Sequence, residues 1–526
     1  MGSLVVHRCF IPKRFLRNQA ILHYTLHKSA VGHRPTTALS VALSGGAGLC
    51  AGLALSEPRA AAPIAIAAAV VLLTVLRRQI SLLHELRAFS VFACSFLIGA
   101  LFWVGLGIYR PPANDLGDTL LVCGLLVAFH TALYCVCFAT LRAGCCALKK
   151  RGMLALAACT GLGWTSAEVI RTMGFWALPW GLLGYSQVDN AILRGLYPIA
   201  GSAGVALAIW VVAAACLQSI QSFRQSGRLF KLTTAWVLAC IAGWSLQHVA
   251  WTRAMEHPIT VRLVHTHWPE DTKYDPAEQL EAMAALYAAA QNPEAHIVVF
   301  PELFLVKRPG VLPANYRRAV VEAARISRVS LLFGMPGLAF QTDVPGTGEG
   351  AQQNTLIHID GAGTTKTYVK EILLPFTEYL PDTPALSWAY PYLYRYPLAD
   401  FLPGASVQPP LIAAGVPLGP TICSELAYPG KAARQAIDAS LLVNVSSDSW
   451  IASNFYVAQA LTIARVRAAE AQKPLVRANN VGFSAFIDAN GQILSSLIGH
   501  AGNGTMEIQP RSGATPYVRI AAWLSQ

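Results

Sequence analysis

The sequence has little charge for its length. Only 13% of its 526 residues are Asp, Glu, Lys or Arg, and 54% are hydrophobic, whereas soluble proteins carry about 25% charged residues. An ordinary soluble protein is therefore excluded, and we expect a membrane protein. Acidic residues are scarcest in the first half, where residues 1–257 hold 7 Asp and Glu against 21 Lys and Arg. The second half is nearly balanced, with 21 acidic and 19 basic residues.

The second half also has almost no cysteine. Eleven of the 12 cysteines precede residue 241, and Cys423 is the only one that follows, so no disulfide can form within this half. An exposed thiol outside the cytoplasm is prone to oxidation and wrong pairing. A chemical role therefore explains the presence of Cys423 better than core packing does. The alternative is that Cys423 is an inert, small core residue.

Long apolar runs fill the first half. Seven of them approach the about 20 residues that cross a bilayer, at residues 40–56, 62–76, 89–109, 120–140, 154–175, 196–217 and 232–251. The second run is short. We predict a transmembrane bundle of about seven helices over residues 39–252, after a basic tail at residues 1–38.

Basic residues alternate between the predicted connections. The tail and every second connection carry several, whereas the intervening loops have only Arg59, Arg110 and Arg194. Because positively charged loops stay in the cytoplasm, we predict a cytoplasmic N-terminus and, after seven crossings, a second half outside. The basic residues lie in short loops and not on one soluble face, so the high pI does not indicate nucleic-acid binding.

The pattern changes at about residue 259. Short β-branched runs broken by Gly and Pro alternate there with helical periods, which is typical of an α/β domain. We place this domain at residues 258–516, followed by a tail at residues 517–526. Strands are predicted at residues 260–264, 296–300, 330–333, 354–359, 419–423, 441–445, 475–478 and 484–487, and helices at residues 276–291, 315–328, 430–437 and 454–472.

Three polar residues of this domain follow predicted strands. Glu302 comes after HIVVFP, Lys370 lies in TKTYVKEILLPF, and Cys423 lies in PTICSE. Strand ends are where α/β folds gather reactive groups. A thiol that attacks a carbonyl needs a base to form the thiolate and a cation or donor to stabilise the oxyanion. Glu, Lys and Cys supply these parts, although each alone is also an ordinary loop or core residue.

Longer segments carry a resemblance to a known family. FPELF, YVKEILLPFTEYLP, TICSELAYP and RAAEAQKPLVRANNVGFSAFIDANGQI resemble successive blocks of the carbon-nitrogen hydrolase (nitrilase) superfamily. Their spacing is similar to that of its membrane-bound branch, the apolipoprotein N-acyltransferase family. Residues 164–190 of the first half also resemble a motif of this family, at the outer end of a transmembrane helix. The resemblance implies a nitrilase-like αββα sandwich after a multi-span membrane domain.

The resemblance also implies an activity and its residues. The catalytic base, lysine and nucleophile of the family fall on Glu302, Lys370 and Cys423, and its supporting acids on Glu378 and Glu425. Such an enzyme moves a fatty acyl chain from a membrane phospholipid, through a cysteine thioester, to the α-amine of the lipidated N-terminal cysteine of an apolipoprotein. It works in the bacterial inner membrane, with the nitrilase-like domain in the periplasm, and needs no metal or organic cofactor.

Several positions depart from the family pattern. Ser424 stands where an aromatic residue usually follows the nucleophile, and SSDSW keeps Asp448 and Trp450 of an expected Asn-Asp-aromatic run. We also predict no eighth span after the enzyme domain, where the family pattern has one. With Tyr274, which resembles an aromatic near the acyl site of the family, Ser424 and Trp450 are our predicted substrate-binding residues. The departures leave open a membrane-bound amidase or acyltransferase with another acceptor, or a nitrilase-like component of a conjugal-transfer system.

Two further groups have simpler interpretations. Glu168 and Arg171 lie three residues apart in the fifth predicted span, where a charge costs about 2.5 to 3.5 kcal/mol. We predict that they form an ion pair, with contact to lipid headgroups as the alternative. His265 and His267 have no third ligand at metal-site spacing, so we predict no metal site.

Overall fold

The structure is a computed structural model. It describes residues 37–79, 81–109, 115–147, 152–174, 176–222, 226–269, 272–307, 310–338, 352–375, 377–379, 401–451 and 453–525. The predicted basic tail lies outside these residues except for its last two. Within the described ranges, helices make up the first half and two β sheets with flanking helices the second.

The helices of the first half correspond to the predicted spans. They are α1 Thr37–Leu53, α2 Pro58–Arg77, α3 Leu82–Leu101, α4 Trp103–Ile108, α5 Leu116–Ala147, α6 Met153–Ile170, α7 Tyr197–Ser222 and α8 Ser226–Leu246. In the described part of the chain, six of them are long and apolar enough to cross a membrane, namely α1, α2, α3, α5, α6 and α7. This confirms a multi-span domain.

Two of the predicted spans need comment. The second is not short, because α2 begins four residues before the predicted start, with Pro58 in its first turn, where the missing N–H of proline is harmless. The seventh overlaps α8, in which the apolar segment Val237–Leu246 is shorter than a membrane span. The seventh crossing therefore stays a prediction.

Glu168 and Arg171 do not form the predicted ion pair, since no salt bridge joins them among the described residues. The Glu168 carboxylate accepts hydrogen bonds from the Trp164 indole and from the Leu183 amide, at 2.9 and 2.6 Å. Arg171 donates to the Trp180 carbonyl at 2.7 Å. The prediction was wrong because the loop that follows α6 folds back and offers each side chain a closer polar partner. Both side chains thus hold this loop in place.

The second half contains fourteen strands within the described residues. They are β1 Arg253–Ala254, β2 Ile259–His265, β3 Ile297–Val299, β4 Ser330–Leu338, β5 Gln352–Ile359, β6 Thr365–Val369, β7 Leu411–Ala413, β8 Val416–Ile422, β9 Leu441–Ser446, β10 Leu475–Asn479, β11 Ser484–Ile487, β12 Ile493–Leu497, β13 Gly502–Ile508 and β14 Arg511–Ser512. All eight predicted strands are present. The sequence pattern did not predict β6, β7, β12, β13 or the two-residue strands.

Twelve of the strands form two six-stranded sheets, in the orders β13-β2-β3-β4-β5-β6 and β12-β11-β10-β9-β8-β7, and β1 pairs with β14. A buried aliphatic core lies between them. The outer face of the first sheet carries α9 Pro276–Gln291 and α10 Ala314–Ser327, and that of the second carries α11 Pro429–Ala436 and α12 Asn454–Ala471. The predicted αββα sandwich is confirmed. Because β2, β3 and β4 run parallel, as do β8, β9 and β10, the carboxyl ends of each set meet at one edge.

Helix α12 joins the two halves of the protein. Its residues are buried almost without interruption from Tyr456 to Ala471, because one side packs on the second sheet and the other on the membrane helices. Gln459 donates a hydrogen bond of 2.9 Å to the carbonyl of Ala100 at the end of α3. Arg465 forms an ion pair with Asp189 in the loop before α7. The membrane helices and the sandwich therefore share one core.

The last residues are also ordered. Most of residues 517–526, predicted as a tail, belong to a helix, α13 Pro516–Leu524, which packs against α11 and α7. In α7 the backbone kinks at Gly201, whose φ of 63° is in the left-handed region. The ring of Tyr517 lies where a side chain at position 201 would be. Glycine there permits both the kink and the contact.

Candidate active site

The structure brings the predicted triad together between the two sheets. Glu302 follows β3, Lys370 follows β6, and Cys423 follows β8. The Nζ atom of Lys370 lies 3.6 Å from Oε1 of Glu302. Both side chains are close enough to Cys423 for their charges to shift the pKa of its thiol. Three segments that are distant in the sequence thus converge at one point.

Cys423 sits at a strained turn. Its φ is 53°, a left-handed conformation that residues other than glycine rarely adopt. The backbone passes there from the extended residue Ile422 directly into the short 3₁₀ helix Cys423–Ala427. Such strain persists only where the surrounding structure enforces it, and it clusters at functional sites.

The Glu302 carboxylate is buried and held by two donors. The Asn354 amide donates to Oε1 at 2.7 Å, and the Ser447 backbone N–H donates to Oε2 at 2.9 Å. Asn354 also donates to Oε1 of Glu378 at 2.9 Å, so it links two carboxylates of the site. Asn354 was not among the predicted site residues. Asn354 lies among other polar residues of β5, which include Gln353 and Thr355, so its position in the sequence gave no signal.

Lys370 is buried between two carboxylates. Its Nζ lies 2.7 Å from Oε2 of Glu378, in addition to the contact with Glu302, so the predicted supporting acid Glu378 contacts the lysine. Burial lowers the pKa of Lys370, but the carboxylates of Glu378 and Glu302 raise it, and the net shift is upward. Lys370 is therefore a permanent cation at neutral pH.

The Cys423 thiol is mainly protonated in this arrangement. Burial and the Glu302 carboxylate raise the pKa of Cys423, and Lys370 lowers it only in part. A thiolate at this position therefore needs a base that removes the proton during the reaction. Glu302 is the carboxylate with the largest effect on the thiol.

Glu425 connects the segments that carry Cys423 and Lys370. It is fully buried, and its Oε2 accepts from the Ile422 N–H at 2.8 Å. Its Oε1 accepts from the Glu371 N–H at 2.7 Å. The two amides belong to the residue before Cys423 and the residue after Lys370. The predicted supporting acid thus fixes the distance between the two segments.

Comparison with known proteins identifies the family. Residues 260–515 match the family model described as "Carbon-nitrogen hydrolase", and residues 47–215 match that described as "Apolipoprotein N-acyltransferase N-terminal domain". Apolipoprotein N-acyltransferase of Nitrosomonas europaea is 33% identical over 68% of this chain and 69% of its own length. The chain belongs to the apolipoprotein N-acyltransferase family.

Other members of the family extend the match. The Coxiella burnetii protein is 28% identical over 87% of this chain and 91% of its own length, and the Methylococcus capsulatus protein is 30% identical over 80% and 81%. The similarity therefore spans both the membrane helices and the sandwich. Membership in the apolipoprotein N-acyltransferase family makes the protein a membrane acyltransferase.

The predicted substrate-binding residues of this family member lie in different places. Ser424 and Cys423 line a narrow pocket. Trp450 packs against Tyr456 of α12, with ring centroids 5.9 Å apart. Tyr274 is 56% exposed, and its ring lies 5.8 Å from the Lys273 ammonium. Neither Tyr274 nor Trp450 lines the pocket at Cys423, so their predicted role stays a prediction.

The described residues give no sign of a metal centre. No group of three His, Cys, Asp or Glu side chains among them is placed to hold an ion. His265 is buried and bonded to the Ser484 hydroxyl at 2.9 Å, and its burial lowers its pKa to about 4. His265 is therefore a neutral core side chain at physiological pH.

Proposed function

We propose that the protein transfers a fatty acyl chain from a membrane phospholipid, by way of a thioester on Cys423, to the α-amine of the lipid-modified N-terminal cysteine of an apolipoprotein. The names of its relatives support the acceptor. The observation that carries the chemistry is the contact of Lys370 with Glu302 beside the strained Cys423. A thiol, a carboxylate and a fixed cation are the parts that acyl transfer through a thioester requires.

The first step forms the thioester. Glu302 takes the proton from the Cys423 thiol, and the sulfur attacks the ester carbonyl of the phospholipid. The carbonyl oxygen becomes an oxyanion, which the Lys370 ammonium stabilises. When the C–O bond of the ester breaks, Glu302 returns the proton to the glycerol oxygen. A lysophospholipid leaves, and the acyl chain stays on sulfur.

The second step forms the amide. The free α-amine of the acceptor attacks the thioester carbonyl, and a second oxyanion develops beside Lys370. Glu302 accepts a proton from the attacking nitrogen. As the C–S bond breaks, that proton returns to the sulfur and regenerates the thiol. The two half-reactions share one site, so the kinetics are ping-pong.

The shared core supports a lipid substrate. Trp180, in the loop that follows α6, lines the same pocket as Cys423, so the membrane half helps to build the site. Donor and acceptor both stay in the bilayer and reach the thiol laterally. We place this site at the outer face of the bacterial inner membrane, with the N-terminus in the cytoplasm, on the alternation of basic loops.

Two measurements test the proposal. Purified protein incubated with phospholipid should carry an acyl thioester on Cys423 by mass spectrometry, and Cys423→Ala should carry none. The intact gene should restore growth of a strain depleted of its own apolipoprotein N-acyltransferase. Thioester formation without complementation would favour an amidase or an acyltransferase with another acceptor. Absence of both would favour the conjugal-transfer component.

A further inference from the structure

A narrow pocket adjoins the thiol of Cys423. Its polar side chains include Trp180 of the loop after α6, Ser424 of the 3₁₀ helix and Arg477 of β10, together with Ser446 and Tyr456. Leu426, together with residues of α12, forms the apolar part of its wall. The pocket thus lies where the membrane half, the nucleophile segment and the second sheet meet.

Three polar side chains of the pocket, Trp180, Ser424 and Arg477, each have a donor without a partner among the described residues, whereas the hydroxyls of Ser446 and Tyr456 both donate to Asp448. Trp180 Nε1, Ser424 Oγ and Arg477 Nε are buried, and none has a hydrogen-bond partner among the described residues. The three residues are 5%, 5% and 3% exposed. Buried donors in proteins are nearly always satisfied. Three unsatisfied donors around one pocket therefore indicate an oxygen acceptor that a ligand supplies.

Charge and size restrict that acceptor. The Arg477 guanidinium forms an ion pair with Asp448 at 3.0 Å and also donates to Asn444, so its charge is neutralised and an anion gains little there. The space holds about one water-sized group, which is too small for a phosphate. The space therefore admits the oxygen atom alone, and the carbons that carry it would lie against the apolar side chains of the lining. An oxygen atom borne by an alkyl chain fits these conditions.

We infer that the pocket recognises a hydroxyl or keto oxygen on the acyl chain, within a few carbons of the carbonyl that Cys423 attacks. The inference rests on the proposed thioester at Cys423. The oxygen accepts from Trp180, Ser424 and Arg477, and the alkyl carbons contact the apolar wall. Acyl chains that carry this oxygen are then preferred to plain chains.

The test compares two small activated esters on the full-length protein in detergent. The p-nitrophenyl esters of butanoic acid and of β-hydroxybutanoic acid acylate the thiol directly, and the single-turnover release of p-nitrophenol gives the rate. Cys423→Ala supplies the background. The hydroxylated ester should react about 5-fold to 10-fold faster, as one or two added hydrogen bonds allow. Because these esters need no phospholipid, the result is independent of the proposed donor.

Two variants and a matched control show which side chains cause the preference for the hydroxylated ester. Trp180→Phe and Ser424→Ala each remove one donor, so each should move the rate ratio towards one. Trp210→Phe makes the same change at another buried indole whose N–H has no partner among the described residues, in the bundle, and should leave the ratio unchanged. A ratio is insensitive to the amount of folded protein. Equal rates in the wild-type protein, or a preference that survives both variants, would overturn the inference.

Discussion

The guanidinium of Arg467 donates a hydrogen bond of 2.7 Å to the hydroxyl of Tyr185. Arg467 lies on α12, and Tyr185 lies in the loop between α6 and α7. The same guanidinium donates to the carbonyls of Leu426 and Ala427, both at 3.0 Å, and pairs with Glu470. One buried cation thus ties the nucleophile segment to the membrane half.

Replacing Arg467 should weaken this junction. Arg467→Met leaves the Glu470 carboxylate buried without its cation, which typically costs about 3 to 5 kcal/mol, so the thermal midpoint in detergent should fall. Tyr185→Phe removes two hydrogen bonds, one accepted from Arg467 and one donated to the Pro179 carbonyl, and should cost about 1 to 3 kcal/mol. Arg325→Met, which removes an exposed pair with Glu322, is the control and should leave the midpoint unchanged. An unaltered midpoint in Arg467→Met would contradict the role given to this contact.

Variants of Glu302 and Lys370 should form the thioester with different dependences on pH. Glu302→Gln keeps the shape but cannot take the thiol proton, so thioester formation should fall by about 10²-fold to 10⁴-fold. Because the thiol pKa is raised, the thiolate fraction still increases with pH, and raising the pH from about 7 to 9.5 should partly rescue Glu302→Gln. Lys370→Met lacks the oxyanion cation and should gain little. If both variants formed the thioester at single-turnover rates near wild type, the roles assigned to Glu302 and Lys370 would be wrong.

The Glu425 carboxylate should matter through the positions of its neighbours. In Glu425→Gln the amide nitrogen cannot accept, so the Ile422 or the Glu371 N–H loses its acceptor. Misplacement by about 1 Å lowers rates by about 10²-fold, and we expect that loss in thioester formation. Glu371→Gln is the matched control, since its side chain pairs with Lys431 on α11 and should affect the rate much less. Equal losses of rate in Glu425→Gln and Glu371→Gln would contradict a specific positioning role for Glu425.

Glycine at position 334 permits the approach of the Glu302 segment. A Cβ there would lie 2.7 Å from Cα of Glu302 and even closer to the Leu303 nitrogen, so Gly334→Ala must displace the carboxylate. Thioester formation should fall by about 10²-fold. In Gly502→Ala the added methyl meets nothing within 4 Å, and activity should be retained. Wild-type rates in Gly334→Ala would show that the Glu302 position tolerates the shift.

Topology depends on whether α8 crosses the membrane. With seven crossings, a reporter fused after Arg253 is periplasmic, and tags in residues 142–151 and 224–231 are cytoplasmic. With the six helices that meet the length and hydropathy of a span, the reporter after Arg253 is cytoplasmic. We expect the periplasmic result, because basic residues alternate across seven runs. Paired alkaline phosphatase and green fluorescent protein fusions distinguish the two arrangements.

The sequence predicted the elements whose signal is local. Apolar runs located the spans, and β-branched runs located the core strands, because burial on both faces leaves a continuous apolar pattern. Strand β12 is mostly exposed and β13 contains two glycines, so neither shows that pattern. The meeting of Glu302, Lys370 and Cys423 was predictable because each of these residues lies close behind a strand.

The contacts that join distant segments were beyond prediction. Arg467 and Tyr185 are separated by 282 positions, and no periodicity encodes such a partner. For Glu168 and Arg171 the local signal was misleading. Their helical spacing predicted an ion pair between them, but each side chain instead bonds to the loop that follows α6. The role of Asn354 could not be predicted either, because its partners Glu302 and Glu378 come from two other segments.

Biosynthesis of the protein is constrained by the burial of α12 on both sides. The membrane helices leave the ribosome first, and the strands that pack on α12 follow, so the second half completes its fold against a bundle that already exists. A fragment that starts after residue 251 would expose the side of α12 that packs on the bundle, and exposed apolar surface of this kind promotes aggregation. We therefore expect that this half cannot be produced as a stable, free-standing enzyme.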